Sequence, residues 1–412
     1  MEVMHEVVCG LDVHSRRVQA GVRKLVGKAA KEEVRTFYTM TKDILELSDW
    51  LASEGVTHVA MESTGVYWKP LYNILEGRFK VLLVNARHVK NVPGRKTDVR
   101  DCQWLAQLLQ YGLVRGSFVP EREQRELRDL TRHRAQLVAQ RAAVVNRIHK
   151  TLEDANIKLG VMATDILGVS GKEMLRALIE GAKTPEEMAQ LARGRMKAKI
   201  AGLEAALRGH VTEHHRFVLE ELMDQLEDLE GRVDRFTQRI EEVSSNPFGA
   251  AIEALMELPG FDRRTAENLL AETGDDMSRF PTDKHFCSWA GICPGSNESG
   301  GKRKSGKTNN GSRWLKATLV QAAWAASRTK NSYFRQQYRR LCARRGKKRA
   351  LVAVAHSLLV VIYHVLATGM TYKDLGADYF DNLDSSRIVR SHVKRLERLG
   401  YTVTLVREGE AA

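Results

Sequence analysis

Short apolar runs separated by polar turns dominate the first 120 residues of the chain. The runs with the length and alternation of strands are 7–14, 17–25, 32–40, 57–64 and 80–86. Residues 44–55 and 66–77 instead have apolar positions at helical spacing. Three successive strands followed by alternating helices and strands predict an α/β domain at 1–118.

Beyond residue 118 the pattern changes to long helices. Apolar side chains recur at alternating spacings of three and four, which is typical of the a/d seam of a coiled coil. The seam consists of Leu219, Leu222, Leu226, Leu229, Val233, Phe236, Ile240 and Val243. A second, more basic helix is predicted over 122–155, so we interpret 119–245 as a helical linker or oligomerisation region. The sequence SSNPFG at 244–249 predicts a break in the helix, and a C-terminal domain at 246–412.

The C-terminal domain begins with two short apolar helices around a Leu-Pro-Gly turn, within residues 252–275. This pattern resembles the helix-hairpin-helix module, in which the turn presents backbone N–H groups and a helix N-terminus to a phosphate. Asp262 departs from the module, because a second small residue is common at that place. The sequence is therefore compatible with two roles for this turn: it contacts DNA directly, or it only packs against the following loop.

The remaining composition favours a cytoplasmic protein. Five cysteines lie apart without a CxxC pair, which indicates neither a zinc site nor a disulfide framework. The N-terminus has no basic region ahead of a long apolar core, so no signal peptide is predicted. The uncharged stretch 350–370 has the length of a membrane span, but it contains His356, Ser357 and His364, which favours a buried core helix. We therefore expect no contact with a membrane.

Positive charge is concentrated in one segment of the chain. Residues 301–350 hold 16 of the 65 Lys and Arg residues and none of the 51 Asp and Glu residues, which accounts for the whole net charge of +14. Such a run is often only a solvated face, but here glycines and aromatic residues interrupt it, as expected where a phosphate backbone is bound. The residues expected to contact nucleic acid are Lys302, Arg303, Lys304, Lys307, Arg313 and Lys316.

Four carboxylates stand at the ends of predicted elements. Asp12 is on the first strand, Glu62 ends the fourth, and Asp98 and Asp101 share one face of a helix start, about 60° apart. An N-cap and the positive end of the helix dipole would by themselves explain the last pair. The strand order, however, suits an RNase H-like sheet, whose first and fourth strands are adjacent, so the four side chains are predicted to converge. Hard oxygen ligands of this number suit Mg²⁺ or Mn²⁺.

A second candidate for chemistry is Ser299, which precedes Gly300 and Gly301 and the cations Lys302 and Arg303. A hydroxyl on such an open backbone beside positive charge is suited to attack on phosphorus. The same loop would also bind phosphate without any covalent step. Two further serines stay open as alternatives, Ser296 and Ser305.

Taken together, these motifs resemble the DEDD transposases of bacterial insertion sequences, the IS-one-ten family with its Piv-type invertase relatives. The carboxylates are Asp12 in GLDVH, Glu62 in MESTGVYW, and Asp98 and Asp101 in KTDVRDCQWLA; the serine is Ser299 in WAGICPGSNESGGK. The resemblance extends over nearly the whole chain and includes the closing segment LGADYFDNLD.

The resemblance implies a RuvC-like N-terminal domain with a Mg²⁺ site at Asp12, Glu62, Asp98 and Asp101, and a C-terminal domain in which Ser299 is the nucleophile. It also implies exchange of DNA strands between element ends and a target through a covalent phosphoserine link. A homo-oligomer, dimer or tetramer, would bring the halves of a site together, and a structured RNA encoded by the element would guide it.

Three other functions compete with this interpretation. A junction-resolving, metal-dependent endonuclease would use the same carboxylates with water as the nucleophile, leaving Ser299 to bind phosphate. An actin-like ATPase or sugar kinase is suggested by GLDVHS, but a second Asp-Gly phosphate loop and an adenosine-binding glycine pair are missing from the sequence. A purely architectural DNA-binding protein would leave the four carboxylates without a task.

Overall fold

The computed structural model of the protein describes residues 3–27, 29–63, 65–85, 101–295, 297–383 and 385–405. The chain divides into two compact units, Met1–Pro120 and Glu121–Ala412. The first unit is α/β and the second is mainly helical, which agrees with the class predicted for each part. The further boundary predicted at 245/246 stays a prediction.

A five-stranded mixed sheet forms the centre of the first unit. Its strands are β1 (Val7–Val13), β2 (Arg17–Val26), β3 (Ala29–Tyr38), β4 (His58–Glu62) and β5 (Lys80–Val84). Their order in the sheet is β3-β2-β1-β4-β5. Strands β1, β2 and β3 are antiparallel neighbours, whereas β4 is parallel to both β1 and β5. All five predicted strands are present, and the first and fourth are adjacent as expected.

Helices cover both faces of this sheet. They are α1 (Thr41–Ser53), α2 (Trp68–Leu75) and α3 (Asp101–Gln110). One face packs side chains such as Leu11 against α1 and α2, and the other packs Val8 and Ala60 against α3. Because β1 is covered on both faces, its apolar run is nearly continuous, as in other central strands of layered α/β folds.

The second unit consists of thirteen helices and one small hairpin in its described part. The helices are α4 (Arg122–Asp154), α5 (Leu159–Met162), α6 (Val169–Glu180), α7 (Pro185–Ala189), α8 (Ile200–Leu207), α9 (Glu213–Met256), α10 (Arg263–Thr273), α11 (Asp283–Trp289), α12 (Arg313–Ala326), α13 (Tyr333–Arg345), α14 (Lys347–Thr368), α15 (Tyr379–Leu383) and α16 (Ser385–Arg398). The hairpin strands are β6 (Asn297–Ser299) and β7 (Lys302–Ser305). Short 3₁₀ turns at Gly194–Lys199 and Met277–Arg279 complete the unit.

Helices α4 and α9 form a long antiparallel pair. His215 Nε2, near the start of α9, lies 3.0 Å from Asp154 Oδ2 at the end of α4. Further along, the His133 ring stacks on Phe236 with centroids 5.0 Å apart. The predicted seam faces inward: its side chains are buried or half-buried along α9. The coiled-coil pairing is thus made within one chain, and α5 to α8 connect its two helices.

The predicted helix break at 244–249 is wrong, because α9 continues through Pro247 to its end. A proline inside a helix removes one hydrogen bond and costs about 3 kcal/mol. Phe248 and Ile252, in the turns that follow, are buried in the C-terminal core. Burial of such side chains stabilises by roughly 1.5–3 kcal/mol each, which offsets the cost of the proline. Tertiary packing therefore overrides the local signal.

The C-terminal core is built around α14. By length and composition, α14 is the one helix in the described part of the chain that could cross a membrane. Its inner face, at Ala350, Val354, Leu358 and Ile362, is buried, and the helix packs against α9, α11 and α12. These contacts agree with the prediction of a core helix.

The Pro-Gly turn lies between α9 and α10, so the end of α9 replaces the first of the two short helices predicted at 252–275. Gly260 has φ +86°, and a Cβ there would lie 2.4 Å from the Ala322 carbonyl oxygen. The turn therefore packs directly on α12. Asp262 caps α10 by accepting a hydrogen bond from Thr265 N–H at 2.8 Å. Phosphate binding by this turn stays a prediction.

Candidate catalytic site and nucleic-acid interface

Asp12 and Glu62 lie at the carboxyl ends of β1 and β4. The parallel register pairs Leu11 with Met61, so Asp12 and Glu62 are the next residues along, with Cα atoms about 4.8 Å apart at the usual strand spacing. Side chains alternate between the two faces of a sheet. Because Leu11 and Met61 are buried with α1 and α2, both carboxylates belong to the opposite face, which α3 covers.

Helix α3 points its N-terminus towards the carboxyl end of β1. It runs antiparallel to β1, because the Gln110 carbonyl at its C-terminal end accepts a hydrogen bond from Met4 N–H at 2.9 Å. Near its other end, Cys102 lies over Gly10: a Cβ at Gly10 would be 2.1 Å from the Cys102 carbonyl oxygen, so only glycine permits this approach. Asp101, the first residue of α3, is thereby carried towards the predicted site.

The described donors at this end of the sheet are three carboxylates, Asp12, Glu62 and Asp101. Carboxylate oxygens are the ligands that Mg²⁺ and Mn²⁺ prefer, so the chemistry of the donors fits the predicted metal. Within the described residues, however, no group of three His, Cys, Asp or Glu side chains is close enough to hold a metal ion. Asp98, the fourth predicted ligand, lies outside the described residues. The metal site stays a prediction.

His14 was not selected from the sequence, yet its Nε2 lies 3.0 Å from Asp12 Oδ2. The turn between β1 and β2 holds it, since its N–H donates to the Arg17 carbonyl at 3.0 Å. The Asp12 side chain is 26% exposed and the His14 ring 56% exposed. Asp12 and His14 are two residues apart in GLDVH, and residues at that spacing in a strand share a face. The sequence could therefore have indicated this contact.

Ser299 is the last residue of β6 and pairs with Lys302, the first residue of β7. Gly300 and Gly301 connect them with φ of +59° and +70°, as in the type I′ turn that favours glycine at both central positions. A Cβ at either glycine would meet no atom within 4 Å. The predicted nucleophile therefore stands beside an open hairpin tip. Ser296, one of the two alternative serines, lies outside the described residues, and Ser305 ends β7.

The base of this hairpin is fixed to the body of the second unit. Gly295 N–H donates to the Lys307 carbonyl at 2.8 Å, and Asn309 N–H donates to the Cys293 carbonyl at 3.2 Å. Below these bonds, a Cβ at Gly311 would lie 2.4 Å from the Ala290 carbonyl oxygen. The hairpin thus projects from an anchored base.

A buried carboxylate connects the segment after the hairpin to α4. Glu272 accepts hydrogen bonds from Arg132 Nε and Nη2 at 2.7 and 2.9 Å, and its side chain is only 5% exposed. The Ser312 hydroxyl also donates to the Glu272 carboxylate, to Oε2 at 2.8 Å. Ser312 in turn caps α12 by accepting from Leu315 N–H. These linked contacts, which the sequence did not predict, fix the position at which the hairpin segment joins α12.

The predicted nucleic-acid contacts lie on and after this hairpin. Lys302 and Lys307 are exposed. Arg313 is also exposed, and its Cζ lies 4.7 Å from the centroid of the Trp314 ring. Lys316 instead donates to the Asn309 carbonyl, which holds the loop. The remaining two, Arg303 and Lys304, belong to β7.

Two family models match the chain, and both describe transposases. One, a DEDD transposase model of IS110 type, matches residues 9–157; the other, described as "Transposase IS116/IS110/IS902 family", matches residues 252–339. The first range includes all four predicted carboxylates and the second includes Ser299. The protein is thus a transposase, an enzyme of DNA recombination. It belongs to the IS110 family.

Individual relatives agree with this membership. A "Probable family 20 transposase" of Pseudomonas aeruginosa is 26% identical over 322 residues, covering 76% of this chain and 85% of the relative. The "Transposase for insertion sequence element IS1111A" of Coxiella burnetii is 24% identical over 347 residues, covering 82% and 85%. The "Pilin gene-inverting protein" of Moraxella bovis is 29% identical over 115 residues, covering 27% and 35%.

Proposed function

We propose that this transposase cuts and rejoins the DNA strands of an insertion sequence with two sets of groups. Asp12, Glu62, Asp98 and Asp101 would hold Mg²⁺ or Mn²⁺, and Ser299 would be the nucleophile. The observation that carries the proposal is the register of β1 and β4, which supports a shared role for Asp12 and Glu62. The strand order β3-β2-β1-β4-β5 supports an RNase H-like, RuvC-like fold for the first unit.

The carboxylates account for the electrostatic part of the reaction. A bound divalent metal would polarise the scissile phosphodiester and stabilise the attacking and leaving oxygens. Asp12 and Glu62 supply the negative charge and the oxygen atoms for that ion. The hydrogen-bond contact with His14 would keep one oxygen of Asp12 in a fixed direction. Asp101 would approach from the N-terminus of α3.

Ser299 accounts for the covalent part. Its Oγ would form a bond to phosphorus while the bond from phosphorus to one sugar oxygen breaks; the hydroxyl proton leaves, and the departing oxygen takes up a proton. The phosphoserine link retains the energy of the broken phosphodiester, so a new sugar oxygen can displace the serine. Cations near the hairpin, Lys302 and Lys307 among them, would offset the charge on the five-coordinate phosphorus.

The partners in this proposal come from the family resemblance. DNA, as element ends and target, would contact the basic segment 301–350, and a structured guide RNA would direct the choice of target. Assembly into a dimer or tetramer would join complementary halves of a site from different copies of the chain. The reaction would take place in the cytoplasm, where the bacterial chromosome lies.

A trap for the covalent intermediate tests the proposal. The full chain is incubated with Mg²⁺ and labelled element-end DNA that carries a nick beside the cleavage point, so that the short fragment diffuses away after attack. The mixture is then denatured and digested, and the labelled peptide is identified. We expect the label on the peptide that contains Ser299, and none with Ser299→Ala.

Two matched variants sharpen this test. Ser296→Ala and Ser305→Ala remove the alternative hydroxyls from the same segment, and we expect both to retain the adduct. Label on another serine would reassign the nucleophile. Free cleaved ends without any protein adduct, together with full cleavage by Ser299→Ala, would instead indicate a junction-resolving endonuclease that uses water.

A further inference from the structure

The sheet face that carries the predicted carboxylates extends beyond the helix that covers it. Helix α3 begins at Asp101, and a Cβ at Gly21 would lie 3.2 Å from the Cys102 carbonyl carbon. The first turn of α3 therefore lies over Gly21 and its strand partner Gly10. From there α3 runs towards the other end of β1, so it does not cover the residues that follow Gly10 along that strand.

Two rows of side chains occupy this end of the face. In the first row Asp12 pairs with Gln19, which in turn pairs with Thr36. In the second row Arg17 pairs with Tyr38. Paired residues on neighbouring strands share a face, and a strand returns to the same face at every second residue. All five side chains therefore lie on the side of the sheet that carries Asp12, and the four on β2 and β3 form the sheet shelf.

Tyr38 is 69% exposed at the end of the edge strand β3. Tyrosine is common in strands because its ring packs against neighbouring side chains, but here most of the residue is left to solvent. The backbone beneath it is fixed, because the Thr39 hydroxyl donates to the Ser15 carbonyl at 3.0 Å. The adjoining turn is closed by the bond from His14 N–H to the Arg17 carbonyl. An exposed aromatic ring on a fixed support is suited to stacking with the base of an unpaired nucleotide.

Arg17 supplies positive charge to the sheet shelf. It is exposed, and the carboxylates that β1 and β3 place on this face contact other groups. The Asp12 carboxylate contacts His14. The Glu32 carboxylate, on β3, contacts Arg23. The Arg17 guanidinium is therefore available to a phosphate group, which arginine can bind through two parallel hydrogen bonds.

Resting on the proposed function, we propose that the sheet shelf binds an unpaired nucleotide of the DNA strand whose scissile phosphate lies at the carboxylates. The base would stack on Tyr38, and a phosphate between the two points would contact Arg17. Stacking accepts every base because each has an aromatic face, so this contact would fix the path of the strand without reading its sequence. Bases in a duplex cover each other's faces, and the shelf would therefore select unpaired DNA.

The spacing on the sheet agrees with such a path. Tyr38 is two strands from Asp12 and two residues farther along, which places their Cα atoms about 12 Å apart at the usual strand dimensions. Stacked nucleotides rise about 3.4 Å each, so roughly three or four of them span this distance, and fewer are needed in an extended strand. Arg17 lies on the intermediate strand, β2.

Photochemical crosslinking tests the inference. The full-length Ser299→Ala protein is mixed with Mg²⁺ and a DNA strand of about 12 nucleotides in which 5-iodouracil replaces thymine. Long-wave ultraviolet light then joins an iodouracil to an aromatic side chain on which it stacks, and the joined residue is identified after digestion. We expect an adduct at Tyr38 that is absent in Tyr38→Ala and retained in Tyr38→Phe. The same strand in a perfect duplex should give no adduct at Tyr38.

Tyr401 is the control for exposure alone. It is 64% exposed but lies in the C-terminal segment of the second unit, and we expect clearly less adduct there than at Tyr38. Equal adduct at both tyrosines would overturn the inference, and so would adduct confined to residues 301–350.

Binding measurements separate the stacking contact from the phosphate contact. Tyr38→Ala should weaken binding of the unpaired strand about tenfold without changing the slope of log K against log salt, because it removes no charge. Arg17→Gln should lower that slope by about 0.7, the contribution of one phosphate on a single strand. Arg35→Gln is the matched control: Arg35 is exposed on the opposite face of β3, where it pairs with Ala20, and its loss should leave the slope unchanged.

Thermal unfolding verifies that each variant is folded. Unchanged affinity in both Tyr38→Ala and Arg17→Gln would overturn the inference. An RNA strand that contains 5-iodouracil distinguishes the two sources of an unpaired nucleotide, and adduct at Tyr38 with RNA but not with DNA would overturn the assignment to DNA.

Neither crosslinking nor binding requires cleavage. Failure of the covalent trap at Ser299 would therefore contradict the proposed nucleophile, while an adduct at Tyr38 would still support the sheet shelf as a site for unpaired DNA. Successful trapping without any adduct at Tyr38 would instead retain the proposed function and overturn this inference.

Discussion

Asp12 and Glu62 lie side by side on parallel strands, one residue beyond the Leu11–Met61 pair. Carboxylates on neighbouring backbone positions at one strand end are suited to share a single cation. This register is the feature on which the proposed metal site depends, and it can be tested by removing each charge separately.

Neutral isosteres of these two residues should abolish strand cleavage. Asp12→Asn and Glu62→Gln each remove one metal ligand, and we expect strand cleavage to slow at least about 100-fold. The same loss is expected for Asp98→Asn and Asp101→Asn. Glu46→Gln, which changes an exposed carboxylate on α1, serves as the control and should be fully active. A cleavage rate close to that of the parent in any of the four would remove that residue from the proposed site.

A divalent metal should raise the thermal stability of the parent protein. An ion that binds only the folded state stabilises it in proportion to RT ln(1 + [L]/Kd). We expect Mg²⁺ or Mn²⁺ to increase the Tm of the parent, and to have little effect on Asp12→Asn or Glu62→Gln. Calcium-free buffer with excess chelator gives the baseline for each protein. If Mg²⁺ or Mn²⁺ raises the Tm of the variants as much as that of the parent, the metal binds at another site.

The cations on and beside the Ser299 hairpin should control the salt dependence of DNA binding. Each phosphate contact contributes roughly 0.9 to the slope of log K against log salt on duplex DNA. Replacing Lys302, Arg303, Lys304 and Lys307 together by alanine should lower that slope by up to about 3–4 units. The control replaces four exposed cations outside the basic segment, Lys150, Lys183, Arg195 and Lys197. An equal change in slope for both sets would show a general effect of net charge.

Local sequence patterns were sufficient to predict the sheet and the pair of long helices. The nearly continuous apolar run VVCGLDV and the seam from Leu219 to Val243 are properties of single elements, so no knowledge of distant contacts was needed. The proximity of Asp12 and Glu62 followed from the strand order alone. Pro247 was misinterpreted because the packing that tolerates it comes from Phe248 and other residues in the C-terminal core.

The surroundings of Ser299 could not be predicted to the same extent. The strands NES and KRKS are too short and polar to show alternation, although Gly300-Gly301 between them is a recognised hairpin turn. A cleft beside this hairpin is lined by Pro294, Gln337 and Ser357, which are distant in sequence. Only the folded core brings them together, so no spacing in the chain indicates the cleft.

The buried Glu272 should position the end of the hairpin segment as well as stabilise the fold. Glu272→Gln weakens the paired bonds from Arg132 and the bond from Ser312, and we expect a loss of about 1–3 kcal/mol in the free energy of unfolding. Strand cleavage should fall further than stability alone explains, since Ser312 caps the helix that follows the hairpin. The measurements are denaturant unfolding and single-turnover cleavage, with the exposed Asp275→Asn as the control. Full activity after the expected loss of stability would limit Glu272 to a structural role.

The Asp262 cap should stabilise α10 in a pH-dependent manner. Burial acts to raise the pKa of Asp262, but hydrogen bonds from the Thr265 hydroxyl and N–H exceed this effect, so the pKa lies below its ordinary value. A lowered pKa in the folded state means that the ionised cap stabilises above the ordinary pKa of about 3.9, and that this contribution is lost as the pH falls through the folded pKa. At pH 7, Asp262→Ala should cost about 1 kcal/mol.

Asp262→Asn distinguishes the two interpretations of the Pro-Gly turn. Asparagine is as good a cap as aspartate but does not titrate, so this variant should be nearly as stable as the parent at pH 7 and lack the parent's acid-dependent loss. It also removes a negative charge from the N-terminus of α10, where a phosphate would bind. If the turn contacts DNA, Asp262→Asn should bind DNA several-fold more tightly than the parent. Because Gly260 packs on the Ala322 carbonyl and the Asp262 side chain already accepts from Thr265, we expect unchanged affinity, which would assign the turn to packing; tighter binding would restore it as a phosphate site.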